Sequence, residues 1–479
     1  DPANDALRVD AIDLKAKAIG EGANLAITQA ARIEFAQHGG RINTDFIDNS
    51  AGVDCSDNEV NIKIALAGAK RAGRLTEPER VKLLAEMTDE VAALVLEDNR
   101  LQALALSIAT AGGAASTASH LRLIETLEAS GQLDRKTEGL AESDVLARRA
   151  AEGHGLTRPE LAVVLSSTKL VLQDALEHSA VPDDPLLEGE LLAAFPAPMR
   201  ETFKIDILEH RLRREIVATK LANRMVNRLG LIHPFELVEE EGATLAQVTT
   251  AFVAAEQLLG MAAIWQGIET QPMPEAARIM LFDRAAAAMV NHMADLLRVS
   301  GGALSAGELV SQLGEGVKLL SGATGRLLSR EGQAQSAALQ ERFVVAGAPA
   351  DLAAAVAHLF DMDGSVGLAM LARQTGTKPD ALTRAFVALG RELGLDWAQQ
   401  AAERLAPTDP WERLLVNSLA RDLQHMRLDF LRRHADGAGE PMAVVEQWVE
   451  GQAAAIRQFR AIVTRAQAAP ALTPTMLAQ

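Results

Sequence analysis

The chain has 479 residues, and its 47 Lys and Arg against 64 Asp and Glu leave a net charge of −17. That surplus opposes nucleic acid or any other polyanionic partner, while the length implies about two to four domains with a large core. A single cysteine, Cys55, cannot form an internal disulfide and fits a reducing compartment, so the cytoplasm is the expected location.

The chain opens Asp1-Pro2 with no Met and no basic or apolar leader, and it reads as the interior of a longer protein. Leu14, Ala16 and Ala18 alternate with Lys15 and Lys17, which predicts a strand. Gly20-Glu21-Gly22 then makes a turn, and Ala26, Ala30, Ile33 and Ala36 recur at helical spacing. Gly20-x-Gly22 matches the first two glycines of a dinucleotide fingerprint, but Leu25 stands at the third, and Glu21 sets a negative charge where a pyrophosphate needs N–H groups. The segment therefore reads as a late strand of an α/β sheet. Ligands of such sheets sit beyond the carboxyl ends of the strands, where Asn24 and Asn49 would emerge. Both also suit ordinary turns. Gly39-Gly40 stops the helix, and "RINTDFID" supplies a second extended run.

From about Ser56 onward the patterns are helical. Ser56-Asp57-Asn58-Glu59 has the form of a capping box opening a helix that carries Val60, Ile64 and Ala67. Further helix starts are predicted at Thr76-Glu77-Pro78-Glu79, Thr157-Arg158-Pro159-Glu160, Thr377-Lys378-Pro379-Asp380 and Thr408-Asp409-Pro410-Trp411. The uncharged run Leu101 to Ser119 contains polar residues and a Gly pair, so it reads as core rather than a membrane span. Ile205, Leu208, Leu212 and Ile216, continued by Leu221, Met225 and Leu229, outline one apolar helical face. Arg211, Arg213, Arg214, Lys220, Arg224 and Arg228 form a basic stretch expected to be solvated or at an interface.

Asp361-Met362-Asp363-Gly364-Ser365 imitates part of a calcium loop but lacks its remaining ligands and reads as a turn. The ten histidines show no paired metal-ligand spacing, so no metal site is expected. Candidate linkers are 182–185, 272–274 and 436–439. With aromatics at only 3 %, the last four-fifths of the chain is expected to pack helix closely on helix. The predicted fold class is mainly α: an amino-terminal remnant of a Rossmann-like α/β coenzyme domain, then a large all-α region. The expected domains are 1–72, 73–181, 182–405 and 406–479.

"GEGAN", "GGRINTDFIDNSAGVDCSDNEVNIKI", "LTRPELAVVLSSTKLVL" and "HRLRREIVATKLANRMVNRLG" resemble the large bacterial NAD-dependent glutamate dehydrogenases in their carboxyl-terminal portion. The resemblance implies oxidative deamination of L-glutamate to 2-oxoglutarate and ammonium with NAD, in a homo-oligomer without nucleic acid or membrane partners. In the small enzymes of the family a Glu-Gly-Ala-Asn motif precedes Asn-Ala-Gly-Gly-Val with a Ser three residues on. Those positions are here Glu21 to Asn24, Asn49 to Val53, and Ser56. By resemblance, Gly22, Ala23 and Asn24 approach the ribose and nicotinamide end of NAD, Asn49 lies beside the nicotinamide, Gly52 joins the cofactor-binding set, and Ser56 binds the substrate's side-chain carboxylate. The sequence departs from the small-enzyme pattern at Ser50, Ala51, Asp54 and Cys55. Cys55 has no nearby His and reads as a packed thiol. The catalytic Lys and Asp of the family are expected upstream, leaving this segment inactive by itself. A rival reading makes the chain an all-α assembly or regulatory module.

Overall fold

The computed structural model describes residues 8–22, 26–405, 407, 409–434, 440–469 and 471–478. Helix accounts for 77 % of the chain and strand for 1 %, which bears out the mainly α class. Two units divide between Phe235 and Glu236, a point inside the first turn of the helix His233–Glu241, one residue after Pro234.

The first unit opens with the only sheet among the described residues. Strands β1 (Ala18–Ile19) and β2 (Arg41–Ile42) pair in parallel, Ala18 opposite Arg41 and Ile19 opposite Ile42. Helix α1 (Gln29–Gln37) connects them. Both strands are shorter than their patterns predict: residues 14–17 are not in strand, and Asp45–Asp48, the second half of "RINTDFID", is one helical turn, α2. Alternation fails there because Ile47 is buried and Phe46 exposed in a single turn just as they would be in a strand. The two glycines after α1 serve different needs: Gly39 has φ +87°, and a Cβ on Gly40 would come within 2.3 Å of the Phe35 ring.

Helix α3 (Ser50–Arg71) follows with Asn49 at its start. This corrects the expectation at Ser56, which is neither a cap nor the head of a helix but sits in the second turn of α3. The helix begins earlier because Asn99 Nδ2 donates to the Ile47 carbonyl (2.8 Å) and to Ser50 Oγ (2.9 Å), tying down the α2–α3 junction. That tertiary tie outweighs the weak helix propensity of Ser50 and Gly52.

The core of this unit lies where Arg213–Leu229 packs on Arg158–Glu177, with Leu106, Val164, Leu172, Ala218, Leu221, Met225 and Val226 fully buried. Ala162, Ala218 and Ala222 let the helix backbones approach closely. Leu101 to Ser119 breaks into the helices Thr88–Ala111 and Thr117–Ala129, with a 3₁₀ turn between. No described helix is by itself long and apolar enough to cross a membrane. The apolar face expected from Ile205 to Leu229 is split. Ile205 is 60 % exposed on a separate short helix, Lys204–Leu208, while Ile216, Leu221, Met225 and Leu229 are buried.

Two predicted caps form full capping boxes, Thr76 with Glu79 and Thr157 with Glu160. Glu160 is fully buried and also receives Arg149 (2.8 and 2.9 Å). The other two starts shift by one residue. Lys378, not Thr377, precedes Pro379–Leu393. Asp409 caps Pro410–His434 by accepting from the amides of Trp411 (3.0 Å) and Glu412 (2.9 Å); Thr408 lies outside the described residues. The expected linker 182–185 is instead two 3₁₀ turns with Pro182 buried and Asp183 held by Arg213 and Arg214. Lys220 pairs with Asp98, and Arg224 with Glu190, so four of the six residues in the basic stretch hold the fold together. The expected linker 436–439 lies outside the described residues.

The second unit is all helix among its described residues. Glu275–Ser300 runs through it with Ala277, Leu281, Ala285, Met289, Met293 and Leu296 fully buried. Leu382, Ala385 and Leu389 of Pro379–Leu393 anchor a second cluster with Leu368, Leu371, Leu428 and Val445.

Candidate functional site

The turn after β1 is built around a buried charge. Glu21, 3 % exposed, accepts from Arg32 Nε (2.5 Å) and Nη2 (3.0 Å) and from the Ile27 amide (3.1 Å). Arg32 also reaches Asp45 (3.2 Å). The Glu21 carboxylate is thus turned inward and neutralised rather than left in the open turn. The Glu21 amide donates to Asp48 Oδ2 (2.9 Å), so it is not free for a pyrophosphate.

Asp48 extends the connection. Its Oδ1 receives Asn43 Nδ2 (2.7 Å), and Asn43 Oδ1 receives Arg158 Nε (2.6 Å). Arg158 also donates to Ser107 Oγ (2.9 Å) and to the Ala103 carbonyl (2.8 Å). Burial, opposed by Asp48, pulls the Arg158 guanidinium below the usual arginine range. Asp48, Asn43, Asn99 and Arg158 were not singled out from the sequence. The available signal was that Asn43, Asp48 and Arg158 lie inside quoted motifs, where they read only as parts of an extended run and of a helix start.

Of the residues picked from the sequence, Gly22 is exposed, and a Cβ there would meet nothing within 4 Å. Ala23 and Asn24 lie outside the described residues. Asn49 ends α2 and heads α3, half-buried, with no side-chain cap. Gly52 and Ser56 are exposed, and Ser56 Oγ makes only a long bond to the Gly52 carbonyl (3.4 Å). At spacings of three and four, Asn49, Gly52 and Ser56 form one stripe along the first two turns of α3. Cys55 is exposed, which corrects its reading as a packed thiol: it falls on the solvent side of α3.

Under α3 lies a second polar cluster. Asn58 Nδ2 holds Asp54 (Oδ1, 3.0 Å), and Lys220 holds Asp98 (2.6 Å). Burial raises the Asp54 carboxyl, helped by a hydrogen bond with Asp98 and opposed by Lys220. Its Oδ2 is buried and receives no donor. Lys169 Nζ touches Gln102 Oε1 (3.2 Å), and burial brings this amine down to about 7 against the pull of Asp98.

The lowered Lys169 has a measurable consequence. Between pH 7 and the unfolded value near 10.5, the unfolded chain holds a proton that the folded chain does not, so this residue's contribution to stability rises with pH through that window. Lys169→Met is expected to stabilise the chain by about 1–3 kcal/mol at pH 7, after allowance for partial solvent screening. The advantage should disappear by about pH 10. Urea unfolding of both proteins at the two pH values checks it, and an equal difference at both would exclude a titrating Lys169.

Two family models match the chain. One, described as bacterial NAD-glutamate dehydrogenase, catalytic domain, covers residues 1–109. The other, glutamate dehydrogenase, C-terminal, covers residues 153–478. The chain belongs to the glutamate dehydrogenase C-terminal family. Among its relatives, the NAD-specific glutamate dehydrogenase of Halomonas elongata is 36 % identical over 430 residues, 89 % of this chain and 27 % of that protein. The protein of the same name from Pseudomonas aeruginosa is 36 % identical over 474 residues, 98 % of this chain and 29 % of its own length. That of Mycobacterium tuberculosis is 34 % identical over 430 residues, 88 % and 26 %. The chain therefore spans less than a third of the length of the curated relatives it matches. The family read from the four motifs is confirmed, and the match at 1–109 covers the β1 turn and the whole of α3.

Proposed function

We propose that this chain is the carboxyl-terminal portion of an enzyme that oxidises L-glutamate to 2-oxoglutarate and ammonium with NAD. The observation that supports it best is the open stripe Asn49, Gly52 and Ser56 on α3, next to a turn whose carboxylate has been withdrawn. A nucleotide could approach bare backbone at Gly22 and Gly52 without meeting a side chain, and Glu21, neutralised by Arg32, would not repel it. Gly22, Ala23, Asn24, Asn49 and Gly52 would hold NAD, which supplies the hydride acceptor, C4 of its nicotinamide. Ser56 would donate its hydroxyl to the substrate's side-chain carboxylate. The β1–α1–β2 crossover would be the end of a Rossmann-like sheet whose earlier strands, with the catalytic Lys and Asp, belong to upstream segments. We place the enzyme in the cytoplasm as a homo-oligomer.

The test is a titration of NAD and then glutamate into the chain, followed by amide chemical shifts. Perturbations centred on Gly22, Asn49 and Ser56 are the expected result. Unchanged shifts there, together with self-association through the helices, would replace this reading with that of an assembly module.

A further inference from the structure

The second unit holds a cavity of about 590 Å³, a size common for small-molecule sites. Its lining includes the Asp361–Ser365 turn that imitates a calcium loop in sequence. Two of its cations have no carboxylate partner among the described residues: Arg284 only packs over the Phe360 ring, 5.0 Å from its centre, and Arg342 stands on an exposed part of Arg330–Val345. Two of its carboxylates make no direct ion pair, although Asp363 lies in the field of Arg427 and Asp361 in that of His358. Asp361 receives only the Ser336 hydroxyl (2.8 Å) and Asp363 only the Gln399 amide (2.6 Å). A third arginine, Arg427, is already engaged by Asp396 (2.8 Å), by Gln399 Oε1 (2.7 Å) and by the Phe386 ring.

Two further groups on the wall are buried without a partner. Ser365 is 4 % exposed with its Oγ unbonded, and Arg427 is 5 % exposed with its Nε unbonded. Buried polar atoms are rarely left this way unless something else completes them. Burial also raises the Asp361 carboxyl, opposed by the Ser336 hydroxyl and by His358.

Free charges of both signs around one space select the ligand. A simple anion would meet Asp361 and Asp363, and a simple cation would meet Arg284 and Arg342, so each would be repelled by half of the wall. We propose that this cavity binds a small zwitterion of the free amino-acid type, its carboxylate on Arg284 and Arg342 and its ammonium on Asp361 and Asp363, with the Ser365 hydroxyl as a further contact. Planar guanidinium groups match a carboxylate in two-point fashion, and a carboxylate accepts an ammonium as readily. The site is separate from the α3 stripe and does not depend on the reading of that stripe.

The test is calorimetric titration of the whole chain with each of the twenty free amino acids. For any that binds, its N-acetyl derivative and its decarboxylated amine follow. The expected result is one-to-one binding of at least one amino acid, with each single-charge derivative weaker by tenfold or more. Arg342→Gln, at an exposed position, should weaken the same ligand tenfold or more with an unchanged Tm, and Asp363→Asn should do likewise. The proposal is overturned if none of the twenty binds, or if binding survives N-acetylation or Arg342→Gln. Binding of glutamate that Ser56→Asp abolishes and Arg342→Gln leaves intact would be assigned to α3 and would count against the cavity.

Discussion

Ser56→Asp in the full-length enzyme is expected to lower kcat/KM for glutamate by about a hundredfold or more, with near-normal melting and near-normal NAD affinity. Ser56 sits in the second turn of α3, exposed, with its hydroxyl engaged only by a long bond to Gly52. Its replacement disturbs no cap and no core, and the helix-propensity cost of Asp is about 0.5 kcal/mol or less. In the proposed substrate site the change is severe. A hydroxyl that donates to a carboxylate contributes about 1.5–3 kcal/mol. The new charge removes that bond and adds repulsion across a short distance. Ser56→Ala isolates the first part: about 10- to 150-fold lost in kcat/KM, with stability unchanged or slightly raised because Ala is the better helix former. Kinetics with saturating NAD, NAD binding by fluorescence and a melting curve decide it. Normal glutamate kinetics in Ser56→Asp would remove Ser56 from the substrate site.

Arg32→Leu should be strongly destabilising to the first unit. It leaves Glu21, at 3 % exposure, as a buried acid without the guanidinium that pairs with it, and takes one contact from Asp45. Removing one partner of a buried ion pair costs about 3–5 kcal/mol, because the remaining charge keeps its desolvation penalty. Glu21→Gln is the milder control, since Arg32 retains Asp45 and the Gln side chain can still accept from the Ile27 amide. Adding Glu21→Gln to Arg32→Leu should recover part of the loss, a coupling that a double-mutant cycle in urea measures. A loss below about 1 kcal/mol for Arg32→Leu would mean that water reaches the carboxylates and the triad is not a buried one.

What the sequence disclosed, and what it did not, follows from the range of the forces involved. Helix content and two full capping boxes were legible because periodicity and capping act over three or four residues. Thr157 and Glu160 need only each other to announce a helix start. The same local rule misled at Ser56, where Ser-x-x-Glu has the form of a box but Asn99, 49 positions away from Ser50, ties down a helix whose cap is Asn49 rather than Ser56. Boxes at Thr244 with Gln247 and Ser305 with Glu308 were present and passed over. In the candidate site, the family motifs located Gly22, Asn49, Gly52 and Ser56. The network behind the β1 turn could not be read, because Asp48, Asn43 and Arg158 acquire meaning only when the β2–α2 segment and the helices Thr88–Ala111 and Arg158–Glu177 come together. Lys169 looks in sequence like any lysine on an amphipathic helix. Its lowered pKa comes from burial beside Thr88–Ala111, which no local pattern reveals.

The bond from Asn43 to Arg158 crosses the gap between the two family matches, one ending at residue 109 and the other starting at 153. Inheritance and mechanics therefore divide this molecule differently. A chimera that joined residues 1–109 of this chain to the later segment of a distant relative would carry every residue proposed to meet NAD and glutamate. Yet the brace behind the β1 turn would be a mismatched pair unless the donor also supplied an arginine in the right place. Asn43 and Arg158 should accordingly behave as one heritable character, exchanged together or not at all.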